Sequence, residues 1–372
     1  MRKFDSNSLV LHLRCRNASF KKDLGSIAKS FSLKFQKKSI LLHADLEDIR
    51  FTNQEFYSIT SIKSESRILR FLFTCWKILN LEMKSIEIAI LLGGDLDTVL
   101  IACLIKLINK KCFTIIKLDL DERASNAYFN FKEKIPLYFK IIQNYGLVNS
   151  FICETSANYK KVKSYFDMLN KPLYFVPNGA LFEVKKIENL AKQKIILSIG
   201  RDSKNNQKKL SLILKVFNIF NKEKEDWKLF LVSPNMTDKI KNKYLLNHNN
   251  VTIINHDLDK KELSKLYKAS AIYFSLSEFE SFGYTIQEAS LYNCIMVVTN
   301  VGCIRDLEIP KKYLYLIENQ NYDINSVKKM LLDAADIFEK NETIKYKSKI
   351  FTWEDFVESI LKIKENNTKF IK

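Results

Sequence analysis

The stretch Ser275-Leu-Ser-Glu-Phe-Glu280-Ser-Phe-Gly283-Tyr-Thr-Ile-Gln-Glu288-Ala-Ser-Leu-Tyr292-Asn-Cys-Ile-Met-Val-Val-Thr-Asn300-Val-Gly302 decides the fold. The run that leads into it, Ala271-Ile-Tyr-Phe-Ser-Leu276, reads as a buried parallel strand, Tyr284 to Tyr292 as a short helix, and Met296-Val-Val-Thr as the next strand. Ligands of such sheets sit at the carboxyl ends of the strands. The turn Glu280-Ser-Phe-Gly283 therefore falls where a ligand would lie. The amides opening the helix face the same space and favour an anion such as a diphosphate. Glu288, about one turn into the helix, is placed to accept two hydrogen bonds from vicinal hydroxyls.

Two glutamates separated by seven residues around a Phe-Gly pair resemble the signature of the family-four (group 1) retaining glycosyltransferases of GT-B architecture. Glu280 and Glu288 keep that spacing, with Phe282 and Gly283 between them. The surrounding order of strand, Ser277-x-x-Glu280-x-Phe282-Gly283, helix with Glu288-Ala, strand and Val301-Gly302 is more specific than the spacing alone. The resemblance implies two Rossmann-like doubly wound α/β domains facing a cleft. It also implies a nucleoside diphosphate sugar as donor, with Glu280 facing the sugar and Glu288 the ribose.

At 372 residues the chain suits two domains, and 47% apolar content is that of a folded protein. The longest apolar stretch, Thr98-Val-Leu-Ile-Ala-Cys-Leu-Ile, stops at Lys106, short of a membrane span. Met1-Arg-Lys-Phe-Asp-Ser-Asn lacks a signal peptide's apolar region, so a cytoplasmic location is expected. The seven cysteines form no Cys-x-x-Cys pair and read as reduced core thiols, and the four histidines lack zinc-ligand spacing. The net charge of +18 is spread over both halves. It suits peripheral attachment to an anionic membrane surface on the inner face, or it reflects a lysine-rich background composition.

Short apolar runs alternate with amphipathic segments along the whole chain. The first series is Ser8-Leu-Val-Leu-His-Leu, Lys38-Ser-Ile-Leu-Leu-His, Ile86 to Leu92, Phe113 to Leu118, Ser150-Phe-Ile-Cys and Leu173-Tyr-Phe-Val. The second is Lys194 to Ile199, Lys228 to Val232, Val251 to Ile254, Ala271 to Ser275, Met296 to Thr299 and Tyr313 to Ile317. This alternation predicts two parallel sheets. The boundary falls near Pro177-Asn-Gly-Ala180, which resembles the interdomain Pro-Asn-Gly of the family. Expected domains are residues 1–180 on the acceptor side, 181–350 binding the nucleotide sugar, and 351–372, where Phe351-Thr-Trp-Glu-Asp-Phe resembles the family's closing helix over the first domain.

The strand Lys194 to Ile199 ends in Gly200-Arg201, and the loop Asp202 to Lys209 leads into the next helix. Gly200 allows a tight exit, and Arg201 stands at the strand's carboxyl end as a fixed cation for phosphate oxygens. In the family an Arg and a Lys at this place clamp the donor's diphosphate as it leaves. Arg201 matches, and counting back from Phe217 favours Lys208, with Lys204 and Lys209 as alternatives. Cations placed there stabilise the departing diphosphate, so no metal or other cofactor is required.

The first domain is less legible. The family carries a His or Asp after the fourth strand, near the reacting sugar, and here Asp119 or Asp121 in Lys117-Leu-Asp-Leu-Asp occupies that place. The family's glycine-rich loop after the first strand has only Gly25 as its counterpart. Gly93-Gly94 before Asp95 is either a second ligand-facing turn or a capped helix entry.

The expected activity is transfer of a sugar, with retention by the resemblance, from a UDP-sugar, or failing that a GDP-sugar, to a glycan or lipid-linked acceptor in polysaccharide or glycolipid biosynthesis. A GT-B transferase that glycosylates nucleic acid has only the charge in its favour, and nucleic acid is not the expected partner. A catalytically silent binding protein is disfavoured by the joint presence of Arg201, Glu280 and Glu288.

Overall fold

Apolar runs bounded by polar turns become strands of two wholly parallel sheets. The computed structural model describes residues 7–13, 23–44, 56–62, 66–121, 123–125, 147–182, 191–201, 206–234, 236, 250–318, 323–340 and 343–369. The chain divides into two compact units, Met1–Leu181 with Phe351–Lys372, and Phe182–Ile350.

In the first unit the strands are β1 (Ser8–His12), β2 (Ser39–Ala44), β3 (Tyr57–Ile62), β4 (Ile88–Leu92), β5 (Phe113–Leu118), β6 (Ser150–Cys153) and β7 (Leu173–Phe175). Their order is β3-β2-β1-β4-β5-β6-β7, and each pairing is parallel. Helices α1 (Asp23–Phe35), α2 (Arg67–Leu79), α3 (Leu96–Ile108) and α4 (Ser156–Met168) connect strands. A parallel sheet covered on both faces demands continuous apolar strands. β4, Ile-Ala-Ile-Leu-Leu, is buried at all five positions.

The sheet has seven strands where the apolar runs predict six. The additional one, β3, holds the sequence Tyr-Ser-Ile-Thr-Ser-Ile. Four hydroxyl-bearing residues in six leave no apolar run to read, which an edge strand tolerates.

The second unit contains β8 (Gln193–Ile199), β9 (Lys228–Val232), β10 (Val251–Ile254), β11 (Ser270–Ser275), β12 (Ile295–Thr299) and β13 (Leu314–Ile317). These pair in parallel in the order β10-β9-β8-β11-β12-β13. Helices α5 (Leu210–Phe220), α6 (Lys260–Ala269), α7 (Tyr284–Leu291) and α8 (Ile324–Lys340) complete it. Its core joins Ile213, Leu214 and Phe217 of α5 to Leu331 and Ala335 of α8, over Leu229 and Phe274 of the sheet.

The terminal helix α9 (Trp353–Lys369) belongs to the first unit. Its approach is set by Gly179. A Cβ there would stand 2.3 Å from the Trp353 backbone nitrogen, and the Ala180 amide donates to the Phe351 carbonyl at 2.8 Å.

Both sheets are built outward from a central pair, so connections leave in opposite directions from β1 and β4, and from β8 and β11. Such switch points open a crevice at the carboxyl ends of the two strands.

Candidate functional site

In the second unit the switch point is framed by the exits of β8 and β11, where the two segments singled out in the sequence meet. Gly200 follows β8, and its amide donates to the Val232 carbonyl at 3.0 Å. Its φ lies outside the left-handed region, so the need for glycine is one of space rather than of a tight turn. A Cβ on Gly200 would lie 2.7 Å from Cγ and 2.8 Å from Cβ of Lys208, whose stem crosses the glycine. Lys208 Nζ donates to Glu280 Oε1, with the two side chains 19% and 13% exposed.

Neighbouring contacts hold that pair in register. The Glu278 amide donates to the Gln207 carbonyl at 2.9 Å, and Gln207 Nε2 returns a bond to the Phe279 carbonyl at 2.7 Å. Lys209 Nζ meets Glu278 Oε2 at 3.2 Å. The three lysines weighed from sequence thereby separate: Lys208 goes to Glu280 and Lys209 to Glu278, while Lys204 lies outside the described residues.

Gly283 caps α7 at φ +83°, a conformation that favours glycine. Phe282 is fully buried and meets the Tyr284 ring at 5.2 Å, so its side chain anchors the turn from within the core. The close of the motif, Val301-Gly302, locks the same turn. Gly302 has φ +63°, a Cβ on it would stand 2.4 Å from the Phe282 carbonyl oxygen, and the Cys303 amide donates to that oxygen at 2.7 Å.

Glu288 is almost fully buried on α7 and accepts from the Tyr267 hydroxyl at 2.8 Å. Burial, and then the Glu288 carboxylate, push the Tyr267 phenol well above its usual range, so it remains a donor. The Tyr292 ring stacks on Tyr267 at 5.6 Å. Arg201 reaches elsewhere: its exposed guanidinium touches the exposed Asp257 carboxylate at 3.4 Å, a loose surface contact. The sequence candidates thus comprise one bonded pair, Lys208 with Glu280, a glutamate braced by tyrosine, and a solvent-facing arginine at the exit of β8.

In the first unit the carboxyl ends of β5 and β6 carry a charge cluster. Lys117 is wholly buried, with Nζ 2.6 Å from Glu154 Oε2 and 3.4 Å from Asp23 Oδ2. Asn178 of the Pro-Asn-Gly segment donates to the same Glu154 oxygen at 2.6 Å. Burial opposes the charge on Lys117, but Glu154 and Asp23 outweigh it and hold the ammonium protonated. Burial, opposed by Lys117 and reinforced by Asp119 and Asp23, pushes the Glu154 carboxyl up to about 8. Glu154 Oε1 and Asn178 Oδ1 find no hydrogen-bond partner among the described residues.

The two aspartates proposed after β5 differ. Asp121 is spent as a cap, accepting from the Arg123 and Ala124 amides at 2.9 and 2.8 Å. Asp119 is exposed at the strand's carboxyl end. Asp95 caps α3 by accepting from the Thr98 amide at 3.0 Å, so Gly93-Gly94 serves a helix entry. Gly25 is buried within α1 rather than in a loop after β1.

Sequence reasoning passed over Tyr267 and the Lys117–Glu154 pair. The second had a signal: a lysine inside the strand run Phe-Thr-Ile-Ile-Lys-Leu requires a buried partner. No group of His, Cys, Asp and Glu suited to a metal ion occurs among the described residues.

Residues 182–351, nearly coextensive with the second unit, match the family of glycosyl transferases group 1. The chain carries a group 1 glycosyl transferase domain. The lipopolysaccharide outer core galactosyltransferase WaaB superposes with a TM-score of 0.66 at 12% identity, over 96% of this chain and 99% of that one. HepE of Anabaena, solved with UDP and glucose, superposes with a TM-score of 0.64 at 11% identity, over 98% and 99%. TarM of S. aureus, solved as a variant with fondaparinux, alpha-GlcNAc-glycerol and UDP, gives a TM-score of 0.55 at 18% identity. This chain aligns over 80% of its own length there and spans 59% of TarM. At these identities the likeness is one of fold, and the glycosyl transferase fold shared is GT-B. No curated protein matches the chain in sequence.

Proposed function

We propose that the group 1 domain binds a nucleoside diphosphate sugar at the β8/β11 switch point and transfers the sugar, with retention, to a glycan or lipid-linked acceptor. A UDP-sugar is favoured over a GDP-sugar. The observation that carries this reading is the Lys208–Glu280 pair, set at the carboxyl ends of the two central strands by the room that Gly200 leaves.

An ammonium has three donors, and Glu280 takes one, so Lys208 is equipped to bond diphosphate oxygens while still bound to Glu280. Arg201 supplies the second cation, drawn from its loose contact with Asp257 by a doubly charged ligand. Glu280 receives a hydroxyl of the donor sugar. Glu288, braced by Tyr267, receives the ribose hydroxyls.

In the transfer, the bond between the anomeric carbon and the phosphate oxygen breaks and the acceptor oxygen bonds the same carbon on the same face. The acceptor's proton passes to the departing phosphate oxygen, and the nucleoside diphosphate leaves. Negative charge grows on the leaving group, so cations fixed beside it favour the transition state over the ground state. These groups require no metal ion.

The test is release of nucleoside diphosphate from UDP-glucose, UDP-galactose, UDP-N-acetylglucosamine and GDP-mannose, with EDTA present. Turnover of one of these donors that falls about a hundredfold in Arg201→Ala supports the reading. Turnover unchanged in that variant, or absent with every donor, overturns it.

A further inference from the structure

In the first unit, α2 presents its apolar side outward. It reads Arg67-Ile-Leu-Arg-Phe-Leu-Phe-Thr-Cys-Trp-Lys-Ile-Leu79 and contains no acid. At about 100° per residue, Phe71, Thr74, Cys75 and Ile78 share one side. Thr74 and Ile78 are buried, and Phe71 and Cys75 pack on the core. Ile68, Leu69, Leu72, Phe73, Trp76 and Leu79 occupy an opposite arc about 140° wide. Each of these six is between 47% and 71% exposed. Arg70 and Lys77 run along one edge of the arc, and Lys77 Nζ stands 5.1 Å from the Trp76 ring centroid.

A water-facing helix surface is normally polar, and an unbroken apolar patch of this kind marks a contact with something else. The charge selects among occupants. A second copy would bring another chain of net charge +18 against this helix, cation against cation. An anionic surface complements both the edge cations and the whole molecule. Large apolar side chains, an exposed tryptophan and flanking basic residues are the chemistry of a helix lying in the boundary between headgroups and acyl chains.

We propose that the outward face of α2 docks on an anionic lipid bilayer. The six apolar side chains enter the headgroup boundary, and Arg70 and Lys77 lie against lipid phosphates. This deepens the reading of a lipid-linked acceptor and rests on it for its purpose, but the two fail separately.

The test uses the full chain with vesicles of equimolar phosphatidylcholine and phosphatidylglycerol, and with phosphatidylcholine alone. Trp227 and Trp353 are buried, so a change in tryptophan emission reports Trp76. The expected results are sedimentation with the anionic vesicles, a blue shift, and quenching by brominated lipid. Binding should fall at least tenfold in Leu72→Ser/Phe73→Ser, which keeps Trp76 and should keep the wild-type Tm because both side chains face outward. It should fall about thirtyfold in Arg70→Gln/Lys77→Gln, from roughly 1 kcal/mol per charge, and weaken with added salt.

Vesicle binding unchanged by Leu72→Ser/Phe73→Ser overturns the proposal. So does a self-association abolished by that variant, which would assign the face to a second copy. Failure to bind anionic vesicles by a preparation that still binds UDP overturns it while leaving the donor site standing. Vesicle binding without nucleoside diphosphate binding does the reverse.

Discussion

Gly200→Ala is the sharpest structural test of the proposed donor site, because it introduces one methyl group and removes no functional atom. The Lys208 stem lies 2.7 Å (Cγ), 2.8 Å (Cβ) and 3.1 Å (Cδ) from where that methyl would sit. Carbon atoms rest at about 3.5–4.0 Å, so the lysine must retreat by roughly 1 Å. Gly200 has no left-handed φ, so alanine's own backbone is unstrained and the perturbation falls on the lysine. A displacement of about 1 Å at a positioned group costs on the order of a hundredfold in rate, near the cost of removing one charge-stabilising donor. Steady-state release of nucleoside diphosphate, with thermal unfolding as a control on the fold, reads the effect. Gly200→Ala should lose about a hundredfold in kcat/KM. The double variant with Lys208→Ala should lose within about twofold of Lys208→Ala alone, since both act through one group. A Gly200→Ala protein with wild-type kcat/KM would show that the position of Lys208 does not govern turnover, and losses that multiply in the double variant would show that the two residues act independently.

The pH dependence of stability should also report the buried cluster. The folded Glu154 carboxyl is raised to about 8, so its stabilising contribution is present below the usual carboxylate range and is lost as pH rises through about 8. Glu154→Gln should flatten the stability profile between about pH 5 and 8, checked by urea unfolding across that window; an unchanged slope would contradict it. Glu339 is the opposite case. Partial burial pushes its carboxyl up, but hydrogen bonds from Lys224, Trp227 and Lys194 outweigh this and hold it down at about 2. Its contribution is therefore present above the usual range and lost as pH falls toward 2, and Glu339→Gln should cost roughly 1–2 kcal/mol at neutral pH, with less further loss on acidification. Gly179→Ala drives a methyl to within 2.3 Å of the Trp353 backbone nitrogen and should destabilise the first unit by more than about 2 kcal/mol. Faster limited proteolysis of the terminal helix would be the readout. Tyr267→Phe removes the hydroxyl that donates to buried Glu288 and should raise KM for the donor severalfold with a small change in kcat.

Most of the sheet architecture was legible because buried parallel strands must be continuous apolar runs. That rule picked out each strand of the second sheet and six of the seven in the first. It missed β3, an edge strand rich in hydroxyl residues, because an edge does not need that run. At the candidate site, the resemblance to the family's motif singled out Glu280 and Glu288 as candidates, and a count from Phe217 favoured Lys208. What separated Lys208 from Lys209 was the pair of bonds between Gln207 and the 278–279 backbone, a tertiary contact with no local signature. Gly200 was read as a tight exit, whereas its spatial role depends on a side chain eight residues away. Tyr267 lies twenty-one residues from Glu288 on another helix and carries no motif. The apolar face of α2 looks like core in a sequence, since periodicity shows that a face is apolar and not which way it turns.

The most direct measurement is titration calorimetry of the full chain with UDP, GDP and the matching monophosphates, in EDTA, for the wild type and Lys208→Ala. The account predicts that one nucleoside diphosphate binds without metal. It predicts that Lys208→Ala weakens that diphosphate at least tenfold, as expected for losing a charge-assisted bond, while the monophosphate changes little. Equal weakening of diphosphate and monophosphate, or no binding of either diphosphate to the wild type, would contradict it.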